Sequence, residues 1–333
     1  MGKRSDRHNI LKRFALVGDI GGTNCRLGIM SSAGEIVERA KDVSSRSLTP
    51  QELVERMEQL YIDSRMHFDS TYSFAGVSLA IAGLVNQKAG LLEASPHLEH
   101  WVGVPFIDMF REKFPGACYI ENDATAATFA EFRLGAGIGA KNMVYIAIGT
   151  GVGGGLIIDG HLYRGSGGFA GEIGHIYGGS EILCACGNYG CLEAMNSGSG
   201  IEAQLLDGAL ADTYEDIESE SAFRGSLQIG VAAKSGHIPA LELIRDVGKG
   251  IGIGLGNVLN VLNPDTLIIG GGLSALGEEF INSITVSLQA TAFCEMTRDL
   301  KVSGGSLGDY GGMLGAGLLL FDQQLDSKRT VSI

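Results

Sequence analysis

The chain has 333 residues, of which 45% are hydrophobic, and its 25 basic and 38 acidic side chains give a formal net charge of −13. This length predicts two domains or lobes with a sizeable core, and the acidic balance argues against a protein that binds the phosphates of nucleic acids. The longest uncharged stretches are interrupted by glycine, asparagine or proline, which argues against a membrane span.

The first residues, 1–13, carry a basic run but no apolar segment like that of a signal peptide. We therefore expect a flexible tail at 1–13 and a protein of the reducing cytoplasm.

Two short strands, 14–20 and 26–30, are predicted next, around the turn Gly21–Asn24. The sequence Thr49-Pro-Gln-Glu52 then has the pattern of a capped helix start.

Strand and helix patterns alternate along the rest of the chain. In order, they are strand 76–81, strand 118–120, helix 124–134, strand 143–148, strand 156–158, strand 266–269 and helix 312–321. The strand–turn–strand layout of 14–30 recurs at 143–158 around Gly149–Gly151, and a third glycine run, Gly270–Gly272, follows strand 266–269. The alternation predicts the α/β class, with two lobes that each offer a glycine turn to one ligand. The acidic patch Asp212–Glu220 is expected to be a solvated helix face or a surface insertion.

Glycine, with 51 residues, has about twice its usual share, and its runs suggest phosphate binding. Gly149, Gly151 and Gly154 match the dinucleotide-binding spacing, but a strand follows where that motif needs a helix, and no glycine run continues into a Walker-type Gly-Lys-Ser/Thr. Backbone N–H groups in such turns can converge on phosphate oxygens, and Asp19 could hold Mg²⁺ through water. Each turn could instead be an ordinary hairpin, although the recurrence favours phosphate binding.

Glu121, Asn122 and Asp123 stand where a predicted strand ends and a helix begins. Asn and Asp are favoured helix caps, so a purely structural role is one interpretation. The carboxyl end of a strand also opens into the ligand crevice of an α/β sheet. A carboxylate there could accept the proton of an alcohol that attacks a phosphate.

His175, Cys184, Cys186 and Cys191 follow the spacing H-x8-C-x-C-x4-C. Three thiolates and one imidazole form a closed, structural Zn²⁺ site. The alternative is that the three cysteines are reduced residues of the hydrophobic core. Three thiols so close together among glycines are not typical of a core segment, which favours zinc binding. Glu172 and Glu193 flank this knuckle and could accept hydrogen bonds from sugar hydroxyls, or they could be ordinary surface residues.

Together these motifs resemble those of the ROK family (repressor, open reading frame, kinase) of sugar kinases and sugar-responsive repressors. The matching segments run in family order from about residue 14 to about 320: Asp19–Asn24, Glu121–Asp123, Gly149–Gly154, Glu172–His175, Cys184–Cys191 with Glu193, and Pro264–Gly272. The resemblance implies an actin-like ATPase (ribonuclease H-like) fold with the active site in a cleft between two α/β lobes. The small lobe would comprise 14–123 plus about 313–333, and the large lobe 124–312 with the zinc knuckle.

The resemblance also implies a role for each matching residue. Asp123 would be the general base on the sugar hydroxyl, and His175 would bind zinc through one ring nitrogen and the sugar through the other. The implied sugar contacts are Gly83, Asn122, Asp123, Glu172, His175 and Glu193. The implied contacts to ATP and its Mg²⁺ are Asp19, Gly21, Gly22, Thr23, Asn24, Thr150, Gly151, Gly271 and Gly272. The implied zinc ligands are His175, Cys184, Cys186 and Cys191, and the implied assembly is a homodimer or a dimer of dimers.

One feature favours the kinase branch of the family, and another indicates the phosphate donor. About a dozen residues precede the first strand, too few for the helix-turn-helix domain of the repressors, and the cysteine knuckle supports ATP rather than polyphosphate as the donor. One departure, Thr125 where many members have Asn, is a polar exchange at the start of the helix. The overall pattern is most similar to that of bacterial glucokinases, and the segment 95–105 resembles their loop ahead of the base, although Trp101 in it could be a plain packing residue. The implied activity is therefore phosphorylation of the 6-hydroxyl of glucose by ATP. The alternatives are a kinase for fructose, N-acetylglucosamine or N-acetylmannosamine, or a sugar-binding regulator without turnover.

Overall fold

The structure is a computed structural model that describes residues 12–206 and 226–330. It divides into two compact units: unit 1 runs to Asp123 and resumes at Met313, and unit 2 comprises Ala124–Gly312. Most of the expected tail, residues 1–11, and the whole acidic patch 212–220 lie outside the described residues. The boundary of that tail is wrong by two residues, because strand β1 begins at Lys12, which pairs with Tyr72.

Unit 1 is built on a mixed six-stranded sheet. Its strands are β1 (Lys12–Ile20), β2 (Asn24–Ser31), β3 (Ile36–Arg39), β4 (Val43–Ser44), β5 (Tyr72–Ile81) and β8 (Ala117–Asn122), and β6 (Leu84–Asn86) with β7 (Leu91–Ala94) forms a separate ribbon. The main order is β3-β2-β1-β5-β8, with β4 beside β2. The first three strands in this order are antiparallel, whereas β1, β5 and β8 are parallel.

Helices α1 (Pro50–Asp63) and α2 (Phe106–Lys113) and the short 3₁₀ turns Ser64–Met66 and Glu99–Trp101 belong to the same unit. The predicted capping box is confirmed: the Thr49 hydroxyl accepts from the Glu52 amide at 3.2 Å, and the Glu52 carboxylate accepts from the Thr49 amide at 2.8 Å. Trp101 is fully buried, and its indole N–H donates to the Leu48 carbonyl at 3.2 Å. This bond fixes the chain that follows β7 to the core.

Unit 2 repeats the same sheet order. Its strands are β9 (Met143–Ile148), β10 (Val152–Ile158), β11 (His161–Tyr163), β12 (Thr266–Gly270) and β13 (Lys301–Gly304), in the order β11-β10-β9-β12-β13. Strands β11, β10 and β9 are antiparallel, and β9, β12 and β13 are parallel. The strand–turn–strand recurrence predicted from the sequence is therefore confirmed, and so is the α/β class.

The helices of this second unit include a closely packed pair. In chain order they are α3 (Asp123–Leu134), α4 (Leu192–Asn196), α5 (Gly198–Leu206), α6 (Ser226–Lys234), α7 (Ile238–Leu262), α8 (Glu278–Thr291) and α9 (Cys294–Thr297), with 3₁₀ turns at Ile173–His175, Gly272–Leu276 and Gly308–Tyr310. Gly248, Gly252 and Gly256 recur every four residues on α7, where an added Cβ would collide with α8. This ridge without side chains lets the two helices approach closely.

The last helix, α10 (Gly311–Thr330), is buried from residue 311 to 317, as the sequence predicts. The carbonyl of Ala316 on this helix accepts a hydrogen bond from the buried Ser78 hydroxyl of β5 at 2.7 Å. Among the helices of the described part of the chain, none combines the length and the apolar character needed to cross a bilayer.

Candidate functional site

In unit 1, three segments begin where three neighbouring strands end, at one edge of the sheet. Ile20 of β1 pairs with Ile81 of β5, and Ile81 pairs with Asn122 of β8. Because these strands are parallel, the turn Gly21–Asn24, residue Gly83 and residue Asp123 all follow carboxyl ends at that edge. The structure thus brings together the residues of unit 1 that were predicted for phosphate, for sugar and for the base.

Asn122 connects two of these segments directly. Its side-chain amide donates to the Gly83 carbonyl at 3.0 Å and to the Asp123 carboxylate at 3.1 Å. Asp123 is the first residue of α3, where the free backbone N–H groups of the helix favour a negative charge. The arrangement holds the carboxylate of Asp123 in one orientation beside Gly83.

Glu121 supports Asn122 from within the sheet, a role that the sequence analysis missed. Its carboxylate is 1% exposed and accepts hydrogen bonds from the Tyr119 hydroxyl at 2.9 Å, the Gln87 amide at 2.5 Å and the Asn122 backbone at 3.0 Å. An acidic residue inside an otherwise apolar strand was the available signal, since a buried carboxylate needs such partners.

The turn Gly21–Asn24 is closed by a hydrogen bond from the Gly21 amide to the Asn24 carbonyl at 2.9 Å. Thr23 at its tip is exposed, and its carbonyl accepts from the Ser45 amide at 3.1 Å. Asp19 is half-buried on β1, opposite Arg26 on β2. The turn presents its tip to solvent, as a phosphate-binding turn must.

Unit 2 contains a pocket of about 250 Å³ beside its own glycine turn. Two predicted nucleotide contacts, Thr150 and Gly272, line it, whereas Gly151 and Gly271 are adjacent in the chain but not part of the lining. The other lining residues are Gly149, Gly230, Val231, Lys234, Leu273, Ala275 and Leu276. Lys234 is the one charged residue in this lining, and its ammonium group donates to the Ala275 carbonyl at 3.2 Å. The sequence analysis missed the residues of α6, because that helix carries no motif.

The four predicted zinc ligands form a cluster in unit 2. The ligand atoms of His175, Cys184, Cys186 and Cys191 all lie within 4.8 Å of one another. The Sγ atoms of Cys186 and Cys191 are 3.6 Å apart, much farther than the about 2.05 Å of a disulfide and close to the separation of two thiolates on one tetrahedral zinc. Burial and the neighbouring thiols raise the pKa of Cys191 to about 12, so a cation is needed to hold this group as a thiolate. The donor set and its spacing fit Zn²⁺.

Glu172 and Glu193, predicted to contact sugar, lie beside this cluster. Nδ1 of His175 is 3.8 Å from the Sγ atom of Cys184, and Nε2 is 3.9 Å from a carboxylate oxygen of Glu172. The carboxylate of Glu193 accepts from the Val152 amide at 2.7 Å, and its other oxygen is 3.9 Å from Sγ of Cys184. The two ring nitrogens of His175 therefore face different groups, one the thiols and the other a carboxylate.

Curated relatives of the chain include enzymes and regulators. A glucokinase of Halalkalibacterium halodurans is 30% identical over 313 residues, which cover 92% of this chain and 94% of the relative. A xylose repressor of Caldicellulosiruptor bescii is 31% identical over 254 residues, or 75% of this chain and 63% of the repressor. The chain thus matches the glucokinase over nearly its whole length and the repressor over a part.

Among solved structures, a ROK family glucokinase from Streptomyces griseus in complex with glucose and AMPPNP has a TM-score of 0.78 and 28% identity. The similarity covers 92% of this chain and 98% of that one. Shared topology over nearly the whole chain confirms the predicted fold class, that of the actin-like ATPases. The model of the ROK family matches residues 16–323, and the chain belongs to that family.

Proposed function

We propose that the chain is an ATP-dependent hexose kinase that phosphorylates the 6-hydroxyl of glucose. The observation that carries this proposal is the hydrogen-bonded set of Asn122, Asp123 and Gly83 at the same sheet edge as the turn Gly21–Asn24. A base for an alcohol and a turn suited to phosphate thereby lie at the same edge of one sheet, at the ends of two strands that are separated by β5. Phosphoryl transfer needs both groups in one site.

In the proposed reaction, the carboxylate of Asp123 accepts the proton of the sugar 6-hydroxyl while that oxygen bonds to the γ-phosphorus of ATP. The bond between the γ-phosphorus and its bridging oxygen breaks, and the electron pair leaves with ADP. Asn122 keeps the carboxylate oriented through its 3.1 Å hydrogen bond. The transition state needs little covalent participation by the protein, so rate enhancement comes from positioning and from neutralised charge.

We assign the nucleotide to the pocket of unit 2 and to the glycine turn beside it. The relative from Streptomyces griseus, solved with AMPPNP, supports ATP as the donor. Apolar side chains of Val231, Leu273 and Leu276 suit the faces of a base, while the turn with Thr150 suits phosphates. Mg²⁺ would accompany the phosphates, with Asp19 as the carboxylate that fits its water shell.

Zinc would serve as a structural element of the sugar site. When bound, the ion fixes the loop of the three cysteines and the ring of His175. Glu172, on the other side of that ring, and Glu193, held by the Val152 amide, then present carboxylates to sugar hydroxyls.

We propose a homodimer or a dimer of dimers as the assembly. Analytical ultracentrifugation of the purified chain would test this proposal.

A sugar-binding regulator is the second candidate, and the similarity to a xylose repressor favours it. Release of ADP from Mg·ATP separates the two candidates when it is scanned across glucose, fructose, mannose, N-acetylglucosamine and N-acetylmannosamine. A kinase for glucose gives its highest kcat/KM with glucose. Preference for an N-acetyl sugar would replace the substrate but retain the chemistry, and binding of sugar without ADP release would support the regulator.

The pocket of unit 2 makes a separate prediction. Replacing Lys234 by Met removes a positive charge at the pocket and the bond to Ala275. We expect the KM for ATP to rise about five- to tenfold, since a hydrogen bond with a charged group contributes about 1.5–3 kcal/mol when it is fully made and less at an exposed site. The values of kcat and of KM for glucose should stay within about twofold.

The matched control is Lys249→Met, which removes an exposed lysine of α7 away from the pocket lining. Steady-state kinetics with varied ATP at saturating glucose measure the effect. An unchanged KM for ATP in the Lys234 variant would contradict the assignment of the pocket.

A further inference from the structure

A short segment of unit 1, residues 94–97, passes close to two of the predicted ligand positions. It begins at the end of β7, and a Cβ atom added to Gly83 would lie 2.7 Å from the Cβ atom of Ser95. Two residues further on, a Cβ atom added to Gly22 would lie 2.8 Å from Cβ and 3.0 Å from Cγ of His97. The segment therefore touches both the proposed sugar contact and the proposed phosphate turn.

The scaffold on either side holds this segment in place. Ala94 is paired with Leu84 at the end of the β6–β7 ribbon. Leu98 is fully buried, and its carbonyl accepts from the amide of Trp101, whose side chain is also buried. Side chains on a segment anchored at both ends keep the fixed position that a catalytic group needs.

Two polar groups of this segment have no hydrogen bond within the described part of the chain. Ser95 is 6% exposed, and its hydroxyl has no partner there. The imidazole of His97 is half-buried against Gly22, and none of the hydrogen bonds in the described regions includes it. Buried polar groups are normally paired, so the Ser95 hydroxyl needs a ligand or an ordered water to complete its bonding, and the partly exposed imidazole of His97 can bond with either a ligand or solvent.

We propose that His97 is a catalytic residue, a role that rests on the proposed kinase function. Its ring nitrogen donates a hydrogen bond to an oxygen of the γ-phosphoryl group as that group passes from ADP to the sugar oxygen. Asp123 takes the proton of the hydroxyl, and His97 keeps its own proton throughout. The chemical argument is position: His97 lies against the proposed phosphate turn, on a segment that also touches the proposed sugar contact Gly83. A hydrogen-bond donor at this position is close to the group on which the proposed reaction builds up negative charge.

The test compares His97→Phe, which keeps a flat ring on Gly22 but has no donor, with His97→Asn, which keeps an N–H group. We expect kcat of the Phe variant to fall about 10²-fold, as for the loss of one donor to a transition state. The Asn variant should stay within about tenfold of the original kcat, because its amide can still donate. Binding of glucose, measured by calorimetry without ATP, should change by less than about threefold in both variants.

His100→Phe is the matched control, since His100 is an exposed histidine of the same loop whose ring contacts Trp101. A Phe variant of His97 with kcat within twofold of the original would overturn the proposal. An Asn variant that loses as much kcat as the Phe variant would overturn it too, since shape and not the donor would then matter. A chain that releases no ADP with any sugar, even with His97 intact, would instead refute the kinase function itself and this inference with it.

Discussion

Replacement of Asp123 by Asn is expected to lower kcat by about 10²- to 10⁴-fold, the range attributed to a positioned general base. Asn has nearly the same shape, and its amide oxygen can still accept the 3.1 Å hydrogen bond from Asn122. The substitution therefore removes the proton acceptor while it preserves the local structure. We expect KM for glucose to change by less than about threefold, because the loss concerns the transition state.

Asp108→Asn is a suitable control for this experiment. Asp108 is an exposed carboxylate on α2 in the same unit, 3.6 Å from Arg111. The kinetic parameters of this variant should match those of the original chain, because an exposed ion pair contributes little. If Asp123→Asn retains kcat within a few-fold while zinc content and glucose binding are normal, Asp123 is not the base.

Loss of zinc should have the second large effect. We expect the purified chain to contain about one zinc, and Cys191→Ser to contain almost none, because a structural site needs all four ligands. Removal of the ion frees His175 and the cysteine loop, so KM for glucose should rise about tenfold or more. The melting temperature should fall by about 5 °C or more, since the energy of metal binding contributes to folding.

Cys294→Ser provides the comparison, because Cys294 is exposed and lies outside the cluster. Zinc content, melting temperature and KM should all remain unchanged in that variant. If Cys191→Ser fails to fold, removal of zinc by a chelator, followed by its return, gives the same test on the intact chain. A chain that holds no zinc, or that keeps its affinity for glucose after zinc is removed, would contradict the assigned role.

Local features of the fold could be predicted because they depend on neighbouring residues alone. The capping box of Thr49 and Glu52 needs only four consecutive positions, and it forms as expected. The placement of Asp123 at the junction of β8 and α3 follows from a buried run that meets a helical pattern. The repeated strand–turn–strand layout was also visible, because both copies share the same alternation of apolar strands and glycine turns.

Contacts between segments that are distant in the chain could not be predicted from the sequence. The bond from Asn122 to Gly83 joins positions 39 residues apart, and only the parallel register of β5 and β8 brings them together. Lys234 lies on an alanine-containing helix without a motif, so its place in a pocket depends on tertiary packing. The position of His97 could not be predicted either, because its proximity to Gly22 results from the path of the chain after β7.

The most direct test of the kinase assignment is the stoichiometry of the products from the intact chain. ADP and glucose 6-phosphate would be measured in the same sample after incubation with Mg·ATP and glucose. We predict that the two products accumulate in equal amounts and that neither forms when glucose is omitted. Binding of glucose without formation of glucose 6-phosphate, by protein that retains its zinc, would contradict the kinase function.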